Sequence, residues 1–387
     1  MRGIALLFIV LLLSTSCKPT SEGSRAASLQ ELQAKPAAFD ENEVENEWIR
    51  TKIDSAMKAN NIPAISIGVI RNGKLSYVEG FGEKERGSTS KVTERTVYQI
   101  GSDTKKLTGI LANNLISEGK LRAEESIVTY LPDALTSEAK EKLNAITVQH
   151  LLLHRSGLPY RAPGNKRIDG EPMLVPYTEQ DLLKDLNELQ LESEPGSDFG
   201  YSNFGYAVVG YILEQASGQS YGALLKKYIA DRYDLENTFV APDAAQMELI
   251  ATPYRKDDRN RKTSLFVMGK LTSAGGVYSN VEDVSKLMLA QMQAYRLFSQ
   301  KGDKNNPLIL TESDGIEGSH YGYGLNKTVD KGTTRYGHGG DMDGFASGYV
   351  FYPELNKGLI LLTSSGGRWF GQLEGELRRK LFEQDNL

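Results

Sequence analysis

Residues Ile100–Gly109 read IGSDTKKLTG. Ser102 stands three residues before one lysine and four before another, and the apolar helical run KLTGILANNLISEGKL follows. A serine in front of such a run is most often a helix cap. Ser102 also reads as a nucleophile. Residues at i+3 and i+4 share its helix face. A helix N-terminus offers free N–H groups and partial positive charge to a developing oxyanion. A lysine desolvated at that point loses its proton more readily than a free one. Geometry alone leaves Lys105 and Lys106 tied. At about 100° per residue, i+3 lies roughly 60° to one side of Ser102 and i+4 roughly 40° to the other, which favours Lys106 slightly. S-x-x-K by itself is met by chance in many proteins, so its meaning depends on its company.

Around this stretch the chain alternates strand and helix patterns. EVENEWIRTKIDSAMKAN places Val44, Trp48, Ile49, Ile53 and Met57 near helical spacing, which predicts an amphipathic helix. AISIGVI and LSYVEGFG read as strands, and RNGK between them carries Asn72-Gly73, a strong hairpin signal. Gly119 ends the helix after Ser102. The middle, residues 123–267, reads as helix and loop. TVQHLLLHRSGLP is an apolar helix broken by Gly157 and Pro159, TEQDLLKDLNEL opens with Thr178 as a cap, and YAVVGYILEQASGQ stops at Gly218. Strands return in ASGYVFY and GLILLTSS, joined by the turn PELNKG, and WFGQLEGELRRKLFEQ is a closing helix. Strands at both ends with helices between predict one α/β sheet domain split by a helical insertion. Its sheet part is 43–122 with 268–387, and its mainly helical part 123–267.

Several familiar motifs fail. There is no GxxxxGK[ST] phosphate loop. His150 and His154 are spaced i, i+4, but HLLLH lacks the zincin glutamate, and packed structural histidines are the better reading. GQSYG fits the nucleophile elbow G-x-S-x-G, which needs a strand before it; here Gly218 reads as a C-cap and Ser220 as the cap of the next helix. DMDG after Gly340 is a fragment of a calcium loop and reads better as a turn.

Two further stretches give Ser102 its company. About a hundred residues on comes Tyr201-Ser202-Asn203, and further on His338-Gly339-Gly340. Together SDTK, YSN and HGG resemble the three motifs of the serine β-lactamase and penicillin-recognising peptidase family, in its class C-like branch. HLLLHRSGLP, EPGSDFGYSN and TSAGGVYSNVEDVSKLM agree, and the resemblance runs from about Trp48 to Leu381. It implies a β-lactamase/transpeptidase-like α+β fold, with an antiparallel sheet flanked by helices, a mainly helical inserted part, and the active site between them. By the same resemblance, Ser102 attacks an amide or ester carbonyl and forms an acyl-enzyme, and Lys105 rather than Lys106 helps deprotonate it. Tyr201 passes a proton to the leaving group and later activates water, nearby cations lowering its pKa from about 10. Asn203 orients Lys105 and binds the substrate amide, and the backbone N–H groups of Ser102 and Asp341 form the oxyanion hole. Plain readings stand beside these, with Tyr201 a turn residue and Asn203 a helix cap. Loss of Lys105 is expected to abolish acylation and loss of Lys106 to leave most activity.

The third motif departs from the pattern. Lactamases usually carry Lys-Thr-Gly or Lys-Ser-Gly where this chain has His338-Gly339-Gly340. The glycines suit a strand that a ligand approaches closely, but an imidazole with a reference pKa of about 6.5 is a weaker cation than lysine. Peptidase, amidase or esterase activity is therefore expected ahead of β-lactam hydrolysis. A β-lactamase, a D-alanyl-D-alanine carboxypeptidase and a catalytically weak wall-binding or sensor protein are the alternatives. The resemblance implies no metal or organic cofactor. The segments from Arg161 to Tyr177 and from Pro253 to Leu271 are expected to line the cleft.

The 387 residues, 40% hydrophobic and 25% charged, suffice for a full core. A net charge of −5 without a basic tract sets nucleic-acid binding aside, leaving a small-molecule or peptide substrate. MRGIALLFIVLLLSTSCKPT has Arg2, an apolar run from Ile4 to Leu13 too short to span a membrane, and small residues before Cys17, the single cysteine. This resembles a bacterial lipoprotein signal, with Ser14 where that motif usually has leucine. The expectation is a signal peptide at 1–16, a lipidated Cys17 and a flexible tether over 17–42. The catalytic domain, 43–387, would then be held in the periplasm, touching the membrane through the lipid alone.

Overall fold

The computed structural model describes residues 43–165, 172–302, 305–310, 319–330 and 332–383. The leader, Cys17 and the tether lie outside these residues. Helix α1 (Glu43–Asn60) leads to the hairpin β1 (Ala64–Arg71) and β2 (Lys74–Gly82). Asn72 and Gly73 take φ of 53° and 71°, the paired left-handed conformation that lets a two-residue turn follow the strand twist. After the short strand β3 (Tyr98–Gln99) comes a single 3-10 turn, Gly101–Asp103, and then α2 (Thr104–Ser117), beyond which Gly119 has φ 71°.

The next stretch is helix and loop, with α3 (Val148–Leu152), α4 (Glu179–Asn187), α5 (Asn203–Ser217) and α6 (Thr272–Gly275). Thr178 caps α4 in a reciprocal box with Asp181, and Gly218 ends α5 in the left-handed conformation. Ser220 caps the following helix, so GQSYG joins two helices and is no nucleophile elbow. The helix expected across TVQHLLLHRSGLP is shorter than its pattern. It stops at Leu152, and His154 takes a φ of 57°.

The chain then returns to strands: β4 (Tyr278–Ser279), which pairs with β3, helix α7 (Val281–Lys301), β5 (Ser319–Tyr321), β6 (Asn326–Asp330), β7 (Thr333–Asp341), β8 (Ala346–Tyr352) and β9 (Lys357–Thr363). Helix α8 (Arg368–Arg378) follows and runs into a π turn over Arg379–Glu383. The main sheet is antiparallel throughout, in the order β2-β1-β9-β8-β7-β6-β5. Its strands all come from residues 64–82 and 319–363.

Strand periodicity gives the sheet two apolar faces. Ile65, Ile67 and Val69 of β1 with Leu359 and Leu361 of β9 pack against α1 (Ile49, Ile53) and α8 (Trp369, Phe370, Leu373). Ile70, Ile360, Leu362, Tyr349 and Phe351 face the other way, onto α7 and the helical part. Burying one such isoleucine contributes about 2 kcal/mol. Gly68 admits α7, because a Cβ there would stand 2.7 Å from Val281 Cγ1. The larger core continues into α2 (Leu107, Ile110, Leu111) and α5 (Phe204, Val208, Ile212). This packing pins the turn that carries Ser102 between helices and the end of β7.

Candidate active site

Ser102 occupies the 3-10 turn at the head of α2. Neither the turn nor the helix carries a side-chain cap hydrogen bond, so the hydroxyl is not spent on capping. Instead it meets Lys105 Nζ at 3.3 Å. The two lysines part company here. Lys105, wholly buried, donates to Asn203 Oδ1 at 2.7 Å and to the Ala274 carbonyl at 2.7 Å. Lys106, also buried, turns the other way. It pairs with the buried carboxylate of Asp103 at 2.5 Å and lies 3.9 Å from the centre of the Tyr349 ring.

Burial holds the Lys105 amine well below its ordinary pKa. A neutral amine has two N–H bonds and one lone pair. Asn203 Oδ1 and the Ala274 carbonyl are both acceptors and take the two N–H bonds, which leaves the lone pair for the Ser102 hydroxyl. The arrangement suits a base. It also fixes the Asn203 amide, because its NH2 turned inward would set donor against donor.

Tyr201 differs from expectation. Its pKa was expected to fall under nearby cations, but burial raises it above 10, and the nearby Ser102 hydroxyl offsets only part of that. Lys105 Nζ lies 4.8 Å from its ring centre, over the ring rather than against the hydroxyl. Tyr201 is therefore a neutral phenol, able to hold and hand on a proton. The cap reading of Asn203 also changes. Ser202 is the N-cap of α5, accepting from Gly205 N at 2.8 Å, and Asn203 is the first helical residue.

The strand carrying His338-Gly339-Gly340 runs against the Ser102 turn. A Cβ on Gly340 would stand 2.1 Å from the Ile100 carbonyl oxygen, so only glycine permits this approach. The Ser347 hydroxyl, opposite Gly340 on β8, donates to the same carbonyl at 2.8 Å. This brings the Asp341 backbone, at the end of β7, alongside the turn. The Asp341 side chain points elsewhere and pairs with Lys256 at 3.0 Å. Asp343 accepts from Lys256 N at 3.0 Å and lies 3.7 Å from Arg255, so DMDG is a turn tied down by cations. His338 is half-buried. Its Nε2 lies 3.5 Å from the Tyr321 hydroxyl, and desolvation holds its pKa well below 6.5. It is neutral at pH 7 and supplies no cation where the lactamase pattern has lysine.

The segments expected at the cleft meet each other. Tyr177 bridges to Gly269, Val267 N donates to the Met173 carbonyl, and Tyr254 bridges to Gly344 just beyond β7. Residues 166–171 lie outside the described part. Among the described residues, no group of three or more His, Cys, Asp or Glu is placed to hold a metal ion, and no helix is long and apolar enough to cross a membrane.

One residue beside the site was read only as packing. His154 stands with its ring 4.3 Å from that of Tyr201 and 4.7 Å from that of Tyr321. Its neighbour in the pattern, His150, has a separate task. The His150 Nδ1 accepts from Thr147 N in a capping box for α3. Nothing in the helical spacing separates the two; the left-handed turn at His154 does.

A serine, a desolvated lysine, a phenol and a strand edge thus meet at the head of α2, beside the antiparallel sheet. The Beta-lactamase family model matches residues 49–381, and the chain belongs to that family. It is 23% identical to Protein flp of Staphylococcus aureus (strain MRSA252) over 351 residues, which is 86% of this chain and 66% of that protein. It is 25% identical to a Beta-lactamase of Providencia stuartii over 270 residues, 70% of this chain and 63% of that one. The chain thus spans slightly less than two thirds of the length of these curated relatives. Its fold is also that of the octameric penicillin-binding protein homologue from Pyrococcus abyssi, at a TM-score of 0.71 and 24% identity, over 87% of this chain and 77% of that one.

Proposed function

We propose that this protein is an exported, lipid-anchored serine hydrolase that cleaves an ester, amide or peptide through an acyl-enzyme. The observation that carries the reading is the Lys105 amine, whose two hydrogens are taken by Asn203 and Ala274 while Ser102 lies 3.3 Å away. In acylation Ser102 Oγ bonds to the carbonyl carbon and its proton passes to Lys105 Nζ. The carbonyl oxygen gains charge facing the Ser102 and Asp341 N–H groups. The bond to the leaving group breaks as Tyr201 gives that group its proton, and Tyr201 is resupplied from Lys105. Water then attacks the acyl carbon, losing a proton along the same route, and Ser102 leaves as the hydroxyl. No step calls for a metal.

A neutral His338 offers no charge to grip a carboxylate, which supports esters and amides over β-lactams. The test is a panel of short-chain esters, D-alanyl peptides and β-lactams, run on wild type and Ser102→Ala. Turnover of esters or simple amides that vanishes in the variant is expected. Turnover confined to β-lactams would replace this substrate class, turnover confined to D-alanyl peptides would narrow it to a carboxypeptidase, and none at all would favour a binding protein of the same fold. For the anchor, mass spectrometry of protein from a bacterial membrane is expected to find Cys17 acylated at the new N-terminus. An unmodified or retained leader would overturn that part.

A further inference from the structure

We propose that His154 is a positioning residue for Tyr201, holding the backbone on both sides of it. Three amides bracket the phenol, one before it and two after. Gly200 N donates to the His154 carbonyl at 2.7 Å, Ser202 N donates to His154 Nδ1 at 3.0 Å, and Asn203 N donates to the Tyr160 carbonyl at 2.9 Å. His154 takes two of the three, one through its backbone and one through its side chain. Its ring also forms a wall against the Tyr201 ring, at 4.3 Å between centres.

The backbone of His154 is shaped for this. A φ of 57° is uncommon for any residue but glycine, and it turns carbonyl and imidazole toward the same passing strand of chain. The side-chain bond requires a lone pair on Nδ1, hence a neutral ring with its hydrogen on Nε2. Burial keeps the imidazole neutral. The Nε2 has no hydrogen-bond partner among the described residues, so Nδ1 alone anchors the ring by hydrogen bonding. The α5 cap extends the clamp, with Ser202 Oγ donating to the Pro159 carbonyl at 2.7 Å. Loop 154–160 thus fixes where the Tyr201 hydroxyl stands relative to Ser102.

The inference rests on the serine-hydrolase reading, and the test separates the two. If His154 aims the proton donor, its loss falls on leaving groups that need a proton. p-Nitrophenolate leaves without one, and ethoxide does not. The same acyl group is offered as p-nitrophenyl butyrate and as ethyl butyrate, and kcat/KM is measured per fluorophosphonate-titrated site. Two variants remove the acceptor: His154→Phe keeps a ring, and His154→Gly accepts the left-handed backbone without strain and serves if the first does not fold. His154→Asn keeps an acceptor oxygen near the Nδ1 position and tolerates the same backbone.

The expected result for Phe and Gly is a loss on ethyl butyrate at least about tenfold larger than on p-nitrophenyl butyrate, with Asn restoring most of the difference. Equal losses on both esters, or an Asn variant as selective as Phe, would reduce His154 to packing and overturn the proposal. A wild type that cleaves neither ester would overturn the ester reading itself, and this role with it, before any variant is made.

Discussion

The pair Lys105 and Lys106 offers the most discriminating perturbation. Lys105→Met removes the group placed to take the Ser102 proton, with its 3.3 Å contact to Oγ. Losing a positioned base costs a factor of about 10² to 10⁴, or roughly 3–5 kcal/mol of barrier. The same change removes a desolvated amine. Its lowered pKa means the unfolded chain binds more protons there, so this lysine works against stability near neutrality. Lys105→Met is thus expected to be inactive yet no less stable, and its gain to shrink as pH rises toward 10. Lys106→Met does the reverse. It strands the wholly buried Asp103 carboxylate, and breaking such a pair costs about 3–5 kcal/mol of stability. Its activity per folded molecule stays within several-fold of wild type. Adding Asp103→Asn to Lys106→Met removes both charges and recovers part of the loss. Denaturant melts give the folded fraction, and kcat/KM on an ester is divided by it. Equal catalytic loss from both lysines after that correction would refute the assignment. So would a Lys106→Met protein as stable as wild type.

Three other outcomes follow from the same geometry. Gly340→Ala places a Cβ where it must displace β7 from the Ile100 carbonyl, so kcat/KM is expected to fall about 10²-fold with the melt little changed; unchanged kinetics would mean β7 takes no part. Asp283, buried at the head of α7, has its pKa pushed up to about 6 by desolvation. Its protonated form is the stabilised one, so the contribution is full below about pH 4 and lost as pH rises toward 6. Two units correspond to about 3 kcal/mol at most. Asp283→Asn, which keeps an acceptor for Asn237 N and Thr238, should match wild type near pH 4 and exceed it by about 1–3 kcal/mol at pH 8; a pH-independent difference would contradict this. His338→Lys restores a cation to the third motif and is expected to raise the rate on a chromogenic cephalosporin; no gain would remove the missing charge as the reason for weak β-lactam turnover.

What could be read in the sequence was what local chemistry dictates. Asn72-Gly73 fixed its hairpin, Thr178 and Gly218 bounded their helices, and Ser220 betrayed the false elbow, because each acts within a few residues of itself. The choice between Lys105 and Lys106 could not be made locally. It depends on Asn203 and Ala274, about a hundred and more residues away, and on Asp103 being buried with Lys106. Family resemblance supplied the choice, and the tertiary contacts set Lys105 beside Ser102 and Lys106 against Asp103. The Tyr201 pKa was misjudged in the same way, because its sign is set by how much protein covers the ring. His154 was missed because helical spacing treats it as the twin of His150, and only its left-handed backbone turns it toward Tyr201.

The central claim is that Ser102 is an activated nucleophile. Incubating the folded protein with an alkyl fluorophosphonate and mapping the adduct by peptide mass spectrometry tests it directly. The account predicts one phosphonyl group on Ser102, absent in Ser102→Ala and greatly slowed in Lys105→Met. A folded protein with Ser102 unmodified, or with the label on another serine, would contradict it.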